Sequence, residues 1–438
     1  MALGGGIWLV QNKILPGSYI NFISIARSGL VFSERGFATI PIIGDWGELG
    51  KVIECTTGDL QTDSMRLFGY DYTAPELRPL RELFKRAKVG YLYRLGTGGT
   101  AASSTDYGSA KYVGKRGNHI KIIVQENVDD AGLFDVTVML GETVVETHTV
   151  SAMADLVDSD YVKWDKNASL ALTAGTPMTG GVNPTVTNAD HQSYLDLIEG
   201  YNFNAIGCPS DDPTVKMLYS AFTKRMRDEQ GVKFQCVNFS PDFNNDFEGV
   251  VDVLNKVLGD DTAGYELIYW VTGCLAGKEV NKSALNDVYD GEYTIQTNDR
   301  KSYLENAIKG GKFAFHTDDG KYRVLADINS LVNVTLEKGD PFKENQTIRV
   351  IDQIANDIAV LFNTQYLGVV PNDQAGRISL WSDIVRHHFA LQDIRAIENF
   401  VDSNVTVEQG DTKQSVLVTD LVEVVNVMGK LYMTVYVA

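Results

Sequence analysis

Apolar residues recur at helical and at strand-like spacings, in alternation, between residues 190 and 400. Residues 214–229 and 346–362 carry apolar side chains every three or four positions, as a helix with one buried face requires. Short β-branched runs such as 205–208 and 232–239 are typical of buried strands. This alternation predicts a layered α/β core.

The same reading assigns further elements on both sides of these segments. It predicts helices at 75–88, 194–200, 247–258, 302–308 and 380–400. It predicts strands at 38–44, 89–95, 312–315 and 322–326, and leaves the long apolar stretch 265–274 without a type.

Residues 96–188 differ from the flanking chain in composition and in their hydrophobic pattern. The stretch 96–110 is rich in Gly, Ser, Thr and Ala, which is the composition of a flexible linker. Three strand-like runs follow at 120–124, 134–140 and 143–150, with turn residues between them. We therefore expect an all-β domain inserted into the α/β core. A second linker-like stretch, rich in Gly and Pro, ends this domain before residue 189.

Both ends of the chain carry strand-like runs with no evident partner. Because such strands offer unpaired N–H and C=O groups, they invite another chain. We interpret the ends as arms that complete a sheet in neighbouring copies, which indicates a polymer. The predicted arm positions are Ile7, Leu9, Tyr19, Ile20 and Phe22, then Val416, Val418, Val424, Val427, Leu431, Met433, Val435 and Val437.

The predicted fold class is thus α/β (α+β) and multi-domain. We expect an N-terminal arm at 1–25, an α/β core formed by 26–95 and 189–345, and an inserted β-rich outer domain at 96–188. A C-terminal helical part follows at 346–413, and a second strand arm at 414–438.

Charge and cysteine content narrow the class of protein. The chain has 39 basic and 57 acidic residues, a net charge of −18, which argues against a general nucleic-acid binder. Its four cysteines lie far apart without a CxxC pair and are expected to be small buried side chains in a reducing compartment. No apolar run reaches the ~18 residues of a membrane span.

Two groups of basic residues are candidate docking sites for an acidic partner. In the 75–88 segment, a basic stripe runs parallel to the apolar one and either lies in solvent or binds an acidic partner. The candidates are Arg78, Arg81, Lys85 and Lys88 in that stripe, and Arg377, Arg386 and Arg395 in or beside the penultimate helix.

Candidate chemical sites are weak. Gly96–Thr100 lacks the Gly-Lys-Ser/Thr ending of a phosphate-binding loop. His387 and His388 are adjacent, so on a helix their side chains diverge by about 100°, whereas metal-binding pairs are spaced four residues apart. Paired aspartates such as Asp211 and Asp212 sit at turns, where they cap helices. We therefore expect no enzyme activity, no cofactor and no metal.

Several blocks of the chain carry a family resemblance. The most specific block is 345–357, Asn-Gln-Thr-Ile-Arg-Val-Ile-Asp-Gln-Ile-Ala-Asn-Asp. The others are residues 11–22, 110–118, 201–209, 280–283, 289–293, 362–364 and 424–435. In these blocks the chain resembles the tail sheath proteins of contractile phage tails, in particular those of Gram-positive prophages, phage-like elements and contractile bacteriocins.

This resemblance implies a subunit that stacks in hexameric rings around an inner tail tube protein, with baseplate and tail terminator proteins as further partners. It implies that the C-terminal domain faces the tube and that both arms join sheets in adjacent subunits. Assembly would take place in the bacterial cytoplasm, and the sheath would become part of a released particle. No nucleic acid and no membrane insertion are implied.

Two other classes stay open from the residues alone. An α/β hydrolase or oxidoreductase would need a nucleophile turn or a Gly-x-Gly-x-x-Gly turn after a strand, and neither motif occurs. Another self-assembling shell protein would share the arms but would need no inner tube partner.

Overall fold

The computed structural model describes residues 32–104, 106–259 and 262–437. Within them, helices and several sheets combine in a multi-domain α/β (α+β) protein, as predicted. The α-helices are α1 (Thr57–Thr62), α2 (Ser64–Phe68), α3 (Arg78–Leu83), α4 (Asn188–Ile198), α5 (Pro213–Asp228), α6 (Leu267–Gly277), α7 (Lys301–Lys309), α8 (Asn345–Leu361) and α9 (Gln374–Asp393).

Strands run through the whole described chain. They are β1 (Phe37–Ile42), β2 (Val52–Thr56), β3 (Val89–Arg94), β4 (Ser103–Ser104), β5 (Gly108–Ala110), β6 (Ile120–Glu126), β7 (Phe134–Leu140), β8 (Thr143–Val150), β9 (Val162–Trp164), β10 (Ala205–Cys208), β11 (Gln235–Phe239), β12 (Val250–Val253), β13 (Val257–Leu258), β14 (Thr294–Ile295), β15 (Lys312–Phe313), β16 (Phe315–Asp318), β17 (Lys321–Val324), β18 (Ile397–Glu398), β19 (Val405–Gln409), β20 (Val416–Asp420) and β21 (Glu423–Val424).

The core is a seven-stranded sheet in the order β15-β12-β11-β10-β1-β3-β2. Every neighbouring pair is parallel except β2 with β3. Because parallel strands are buried on both faces, their residues are apolar in succession rather than in alternation. β10 (Ala-Ile-Gly-Cys) and β12 (Val-Val-Asp-Val) are buried along their whole length.

Successive residues of these strands serve two hydrophobic clusters on opposite faces of the sheet. Ala205 and Val251 belong to the cluster that contains α3 and α6, whereas Ile206 and Val250 belong to the cluster that contains α4 and α5. The helices therefore cover both faces, as a layered α/β core requires.

Helices α3 and α6 approach each other closely. A Cβ atom at Gly273 would lie 2.2 Å from the carbonyl oxygen of Leu83, and one at Gly277 would lie 1.9 Å from that of Arg86. Glycine at these two positions, four residues apart on one face of α6, lets the backbone of the 78–86 segment pack directly on the helix.

The segment between β3 and α4 builds its own core. The strands β6, β7 and β8 form one antiparallel sheet, and β4, β5 and β9 form another. Their buried side chains, together with Trp46, make a third hydrophobic cluster. The strands predicted at 120–124, 134–140 and 143–150 are confirmed.

The two connections to this segment are paired with each other, which corrects the expectation of flexible linkers. Thr97 and Thr185 exchange backbone hydrogen bonds of 3.0 and 3.1 Å, and Thr100 and Val182 exchange two of 3.0 Å. Glycines supply the required backbone shape, since Gly98 and Gly99 have φ values of +72° and +80°.

Three predicted elements differ in the structure. The helix predicted at 380–400 is α9, which ends at Asp393, and Ile397–Glu398 form strand β18 instead. Residues 247–258 form β12 and β13 rather than a helix, because a fully buried strand shows no alternation and its valines imitate helical spacing. The 75–88 helix is shorter than predicted, consisting of a 3₁₀ turn (Pro75–Leu77) followed by α3. The apolar stretch 265–274 is confirmed as an element and belongs to helix α6.

The C-terminal part consists of α8, a π-helical turn (Phe362–Tyr366), α9 and two small strand pairs. β19 and β20 form an antiparallel hairpin, and β18 pairs with β21. Asp352 on α8 forms an ion pair with Arg227 on α5, with both nitrogen–oxygen contacts at 2.7 Å and both side chains buried. This pair fixes α8 to the α/β core.

Candidate assembly interface

The end of the described chain carries large apolar side chains that are exposed. No helix or strand is assigned between Val425 and Val437. Alternate residues nevertheless have the pattern of a strand with one fully apolar face, since Leu431, Met433, Val435 and Val437 alternate with Lys430, Tyr432, Thr434 and Tyr436. The four apolar side chains are 86%, 74%, 68% and 93% exposed, and the two tyrosines of the opposite face are exposed as well. We call residues 430–437 the terminal segment.

The remaining predicted positions of the C-terminal arm lie inside the fold. Val416 and Val418 belong to β20 and pair with Gln409 and Val407 in the same chain. Val424 pairs with Ile397. Among the described residues, the part of the arm without a strand partner therefore begins after Val425, later than the boundary at residue 414 that the sequence pattern indicated, and it includes Val427 and the terminal segment.

The β19–β20 hairpin keeps two open edges. The bonds from Leu421 N to Asn404 O and from Gly410 N to Ser415 O flank the ladder. Since hydrogen-bonded and non-hydrogen-bonded pairs alternate in an antiparallel ladder, the backbone groups of Val407 and Gln409 point away from β20. No other strand of the described chain lies beside that edge, and none lies beside the outer edge of β20.

A groove of about 550 Å³ runs between helix α9 and the open edge of β19. Its helical wall presents Ile378, which is 55% exposed, and Trp381. The Trp381 indole donates a 2.9 Å hydrogen bond to the Val405 carbonyl oxygen at one end of the edge. Gln374 and Arg377 share the helical wall with these two apolar side chains. An unpaired strand edge beside such a mixed polar and apolar wall has the chemistry that accepts an added strand.

Arg81 is not available to an acidic partner. Its guanidinium forms a two-point ion pair with Glu292, with both contacts at 2.7 Å, and donates to the carbonyl oxygens of Tyr72 and Ala74. The prediction that it forms part of an open docking stripe is therefore wrong. Hydrogen bonding from Arg81 lowers the pKa of Glu292.

The other basic candidates differ in exposure. Arg78 is half-buried, 3.9 Å from the same Glu292, whereas Lys85 and Lys88 are exposed. Arg386 is exposed and pairs with Asp383 on the same helix. Arg377 donates to Asn372 beside the groove, and Arg395 follows the end of α9. A docking role for these residues stays a prediction.

The predicted N-terminal arm positions lie outside the described residues, namely Ile7, Leu9, Tyr19, Ile20 and Phe22.

The adjacent histidines diverge as expected. His387 Nε2 lies 2.9 Å from an Asp357 oxygen on α8, and His388 Nε2 lies 2.8 Å from an Asp420 oxygen on β20. Both rings are fully buried. These two contacts hold α9 against helix α8 on one side and against the β19–β20 hairpin on the other.

The described ranges contain no group of three or more His, Cys, Asp or Glu side chains that could hold a metal ion. No helix in the part of the chain that the structure describes is both long and apolar enough to cross a membrane. Asp212 caps α5 by accepting a 2.7 Å bond from Thr214 N, which confirms the capping prediction for this residue.

Sequence reasoning missed the groove along α9. A signal was present, because Val405 and Val407 alternate with polar residues and Gly410-Asp411 supplies a turn before the next β-branched run. It also missed the internal partner of Arg81, for which no local signal exists.

Family models match four stretches that span most of the chain. Residues 35–95 match the Gp18 domain III N-terminal region of tail sheath proteins, and residues 96–183 match the phage tail sheath protein beta-sandwich domain. Residues 185–330 match the phage tail sheath protein central domain, and residues 337–438 match the phage tail sheath C-terminal domain.

Similar proteins and solved structures lead to the same family as the family models. The phage-like element PBSX protein XkdK of Bacillus subtilis (strain 168) is 30% identical over 99% of both chains. The crystal structure of the sheath tail protein of Desulfitobacterium hafniense is 36% identical and covers 90% of this chain and 93% of its own, with a TM-score of 0.79.

A more distant likeness concerns the fold. The helical sheath of the anti-feeding prophage, solved in its contracted state, is 13% identical, with a TM-score of 0.57 over 96% of this chain and 98% of its own. From the relatives with 30% identity or more over nearly their whole length, the chain belongs to the phage tail sheath protein family.

Proposed function

We propose that the chain is a structural subunit of a contractile tail sheath. It polymerises as stacked hexameric rings around an inner tail tube, between baseplate and tail terminator proteins. On triggering, the sheath contracts and drives the tube through a target cell envelope. The subunit assembles in the bacterial cytoplasm, uses no cofactor and catalyses no reaction.

One observation carries this proposal. The same chain presents an exposed strand-like segment with one apolar face and a hairpin whose edges lack strand partners. We propose that the terminal segment of one copy lies in the groove beside β19 of another, with its apolar face on Ile378 and Trp381, which line that groove. Full burial of each large apolar side chain contributes about 1.5–3 kcal/mol, which favours association.

The two edges support a mesh rather than a dimer. A subunit that accepts a strand at β19 keeps the outer edge of β20 open for a second arm, for which the N-terminal arm predicted at residues 1–25 is the candidate. Because donor and acceptor sites are different surfaces of one chain, a copy that gives its arm to one neighbour can accept an arm from another, so the contact can propagate from copy to copy.

Contraction then requires subunit bodies that move as rigid units while the strand pairs persist. The buried pairs between α8 and the core, such as Asp352 with Arg227, make the body rigid. If each subunit gains about 1–3 kcal/mol on switching, the scale of ordinary conformational couplings, a long polymer releases a large total.

Electron microscopy of the purified chain, with and without an inner tail tube protein, tests the proposal. We expect striated tubes around the inner tube, in a long narrow and a short wide form. Particles that never polymerise in the presence of the tube protein would overturn it, and tubes that form without any inner partner would favour another shell protein.

A further inference from the structure

A buried amide makes two of the hydrogen bonds that hold residues 425–427, the root of the terminal segment. Gln346, at the start of α8, is 3% exposed. Its Nε2 donates a 2.9 Å hydrogen bond to the Val425 carbonyl oxygen, and its Oε1 accepts one of 3.2 Å from Val427 N. A primary amide offers the same donor and acceptor as a peptide group, so Gln346 pairs with residues 425–427 as one residue of a neighbouring strand would.

Two further hydrogen bonds hold residues 425–427. Asn426, between the two bonded residues, donates a 3.0 Å hydrogen bond to the Thr347 hydroxyl. On the other side, Val425 N donates to the Ala396 carbonyl oxygen at 3.0 Å. Residues 425–427 are therefore fixed on both sides, although no regular strand continues there.

Val427 makes the last of these hydrogen bonds, and beyond it Gly429 lies only in van der Waals range of Leu285, where an added Cβ would be 3.4 Å from its Cδ2. Met428 is fully exposed, and the apolar face of the terminal segment follows it. Gln346 and Thr347 both belong to helix α8. This helix is itself fixed to the core by the Asp352–Arg227 pair and by the 2.7 Å bond between Gln235 Nε2 and Asn345 Oδ1. The root of the segment thus belongs to the rigid body of the subunit.

We propose that Gln346 is a positioning residue that sets the point and direction at which the terminal segment leaves the subunit, with the pivot at Met428 and Gly429. The inference rests on the proposed function, because the exit direction matters only if the segment reaches another copy. It assigns to this glutamine the task of keeping the strand in register with its acceptor while subunit bodies rotate.

The test uses two isosteric variants of the full chain. Gln346→Met keeps the side-chain volume and removes the amide. The control is Asn356→Leu on the same helix, since the Asn356 amide also bridges a backbone, by bonds of 2.9 and 3.3 Å to Lys233, away from the segment. The readouts are hydrogen–deuterium exchange of residues 423–429 in unassembled protein and tube formation with the inner tube protein.

We expect Gln346→Met to speed exchange at Val427 about tenfold, as loss of a local hydrogen bond does, and to reduce tube yield at least about twofold with irregular striations. Asn356→Leu should match wild type in both readouts. Unchanged exchange in Gln346→Met, wild-type tubes from it, or an equal defect in Asn356→Leu would overturn the inference. Failure of the wild-type chain to form tubes would instead overturn the proposed function, while the exchange data would still decide whether Gln346 holds the segment.

Discussion

The Trp381 indole donates a 2.9 Å hydrogen bond to the Val405 carbonyl oxygen and so fixes helix α9 beside the open edge of β19. The next outward-facing backbone groups on that edge belong to Val407 and Gln409. In the proposed assembly, helix α9 forms the wall of the acceptor site and β19 provides the backbone hydrogen bonds for the donated strand.

A charged side chain on the helical wall of the groove should block assembly without unfolding the subunit. Ile378 is 55% exposed, so Ile378→Asp is expected to change the free energy of unfolding by no more than about 0.5 kcal/mol. Sedimentation of assembled tubes should fall severalfold, because the apolar face of the incoming strand would meet a carboxylate. Val128→Asp is the matched control, since Val128 is 96% exposed on a hairpin of the inserted domain. Equal yields from both variants would contradict the acceptor site.

The two faces of the terminal segment should differ in tolerance. Met433 lies on the apolar face and Thr434 on the opposite one. We expect Met433→Asp to abolish tubes in electron micrographs and Thr434→Asp to leave them largely intact. If the two neighbours are equally sensitive, the segment does not dock as a strand with one buried face.

Removal of residues 428–438 should give a folded chain that cannot polymerise. A cut before residue 414, which the sequence pattern suggests, would remove β20 and the Asp420 partner of His388. Thermal unfolding followed by circular dichroism should therefore show a near-native transition for the shorter deletion and a clearly lowered one for the longer. Normal tubes from the shorter deletion would refute the arm.

Arg81 should matter for stability and Lys85 should not. Arg81→Leu removes the two-point pair with Glu292 and is expected to cost about 1–3 kcal/mol, whereas Lys85→Leu should stay within about 0.5 kcal/mol. Because the pKa of Glu292 is lowered in the fold, its contribution is present above a glutamate's ordinary value of 4.5 and is lost as pH falls through the lower folded value. The melting difference between Arg81→Leu and wild type should shrink in that acidic range. A difference that persists unchanged there would exclude the ion pair as its cause.

The four cysteines should be inert in the native protein. All are buried and unpaired, and burial raises the pKa of Cys55, Cys236 and Cys274 to about 12. The thiolate is the reactive form, so at pH 8 a disulfide reagent should modify almost none of them, against four in denaturant. Rapid modification of the native chain would show that the cores around them open readily.

Most elements of the core could be predicted from periodicity, because helices such as α5 and α8 expose one face and carry a clear repeat. The error at 247–258 has the opposite origin. β12 lies in the interior of a parallel sheet, and a strand buried on both faces carries no period of two.

For the candidate assembly surfaces, the terminal segment could be predicted from sequence, but the pairing of its neighbours within the chain could not. An unpaired apolar strand is visible in sequence at 430–437, but the pairing of 416–420 within the chain depends on which strand lies nearest in the fold. Arg81 and Glu292 are 211 residues apart, so their contact has no local signature. A pair of that kind decides whether a basic stripe is open or already neutralised.

The most direct test of strand donation is an electron cryomicroscopy reconstruction of the polymer, at a resolution that traces the backbone. The account predicts that residues 430–437 of one copy run as a strand beside β19 of a neighbouring copy, over Ile378 and Trp381. Tubes in which this segment folds back onto its own subunit, or leaves the β19 edge empty, would contradict it.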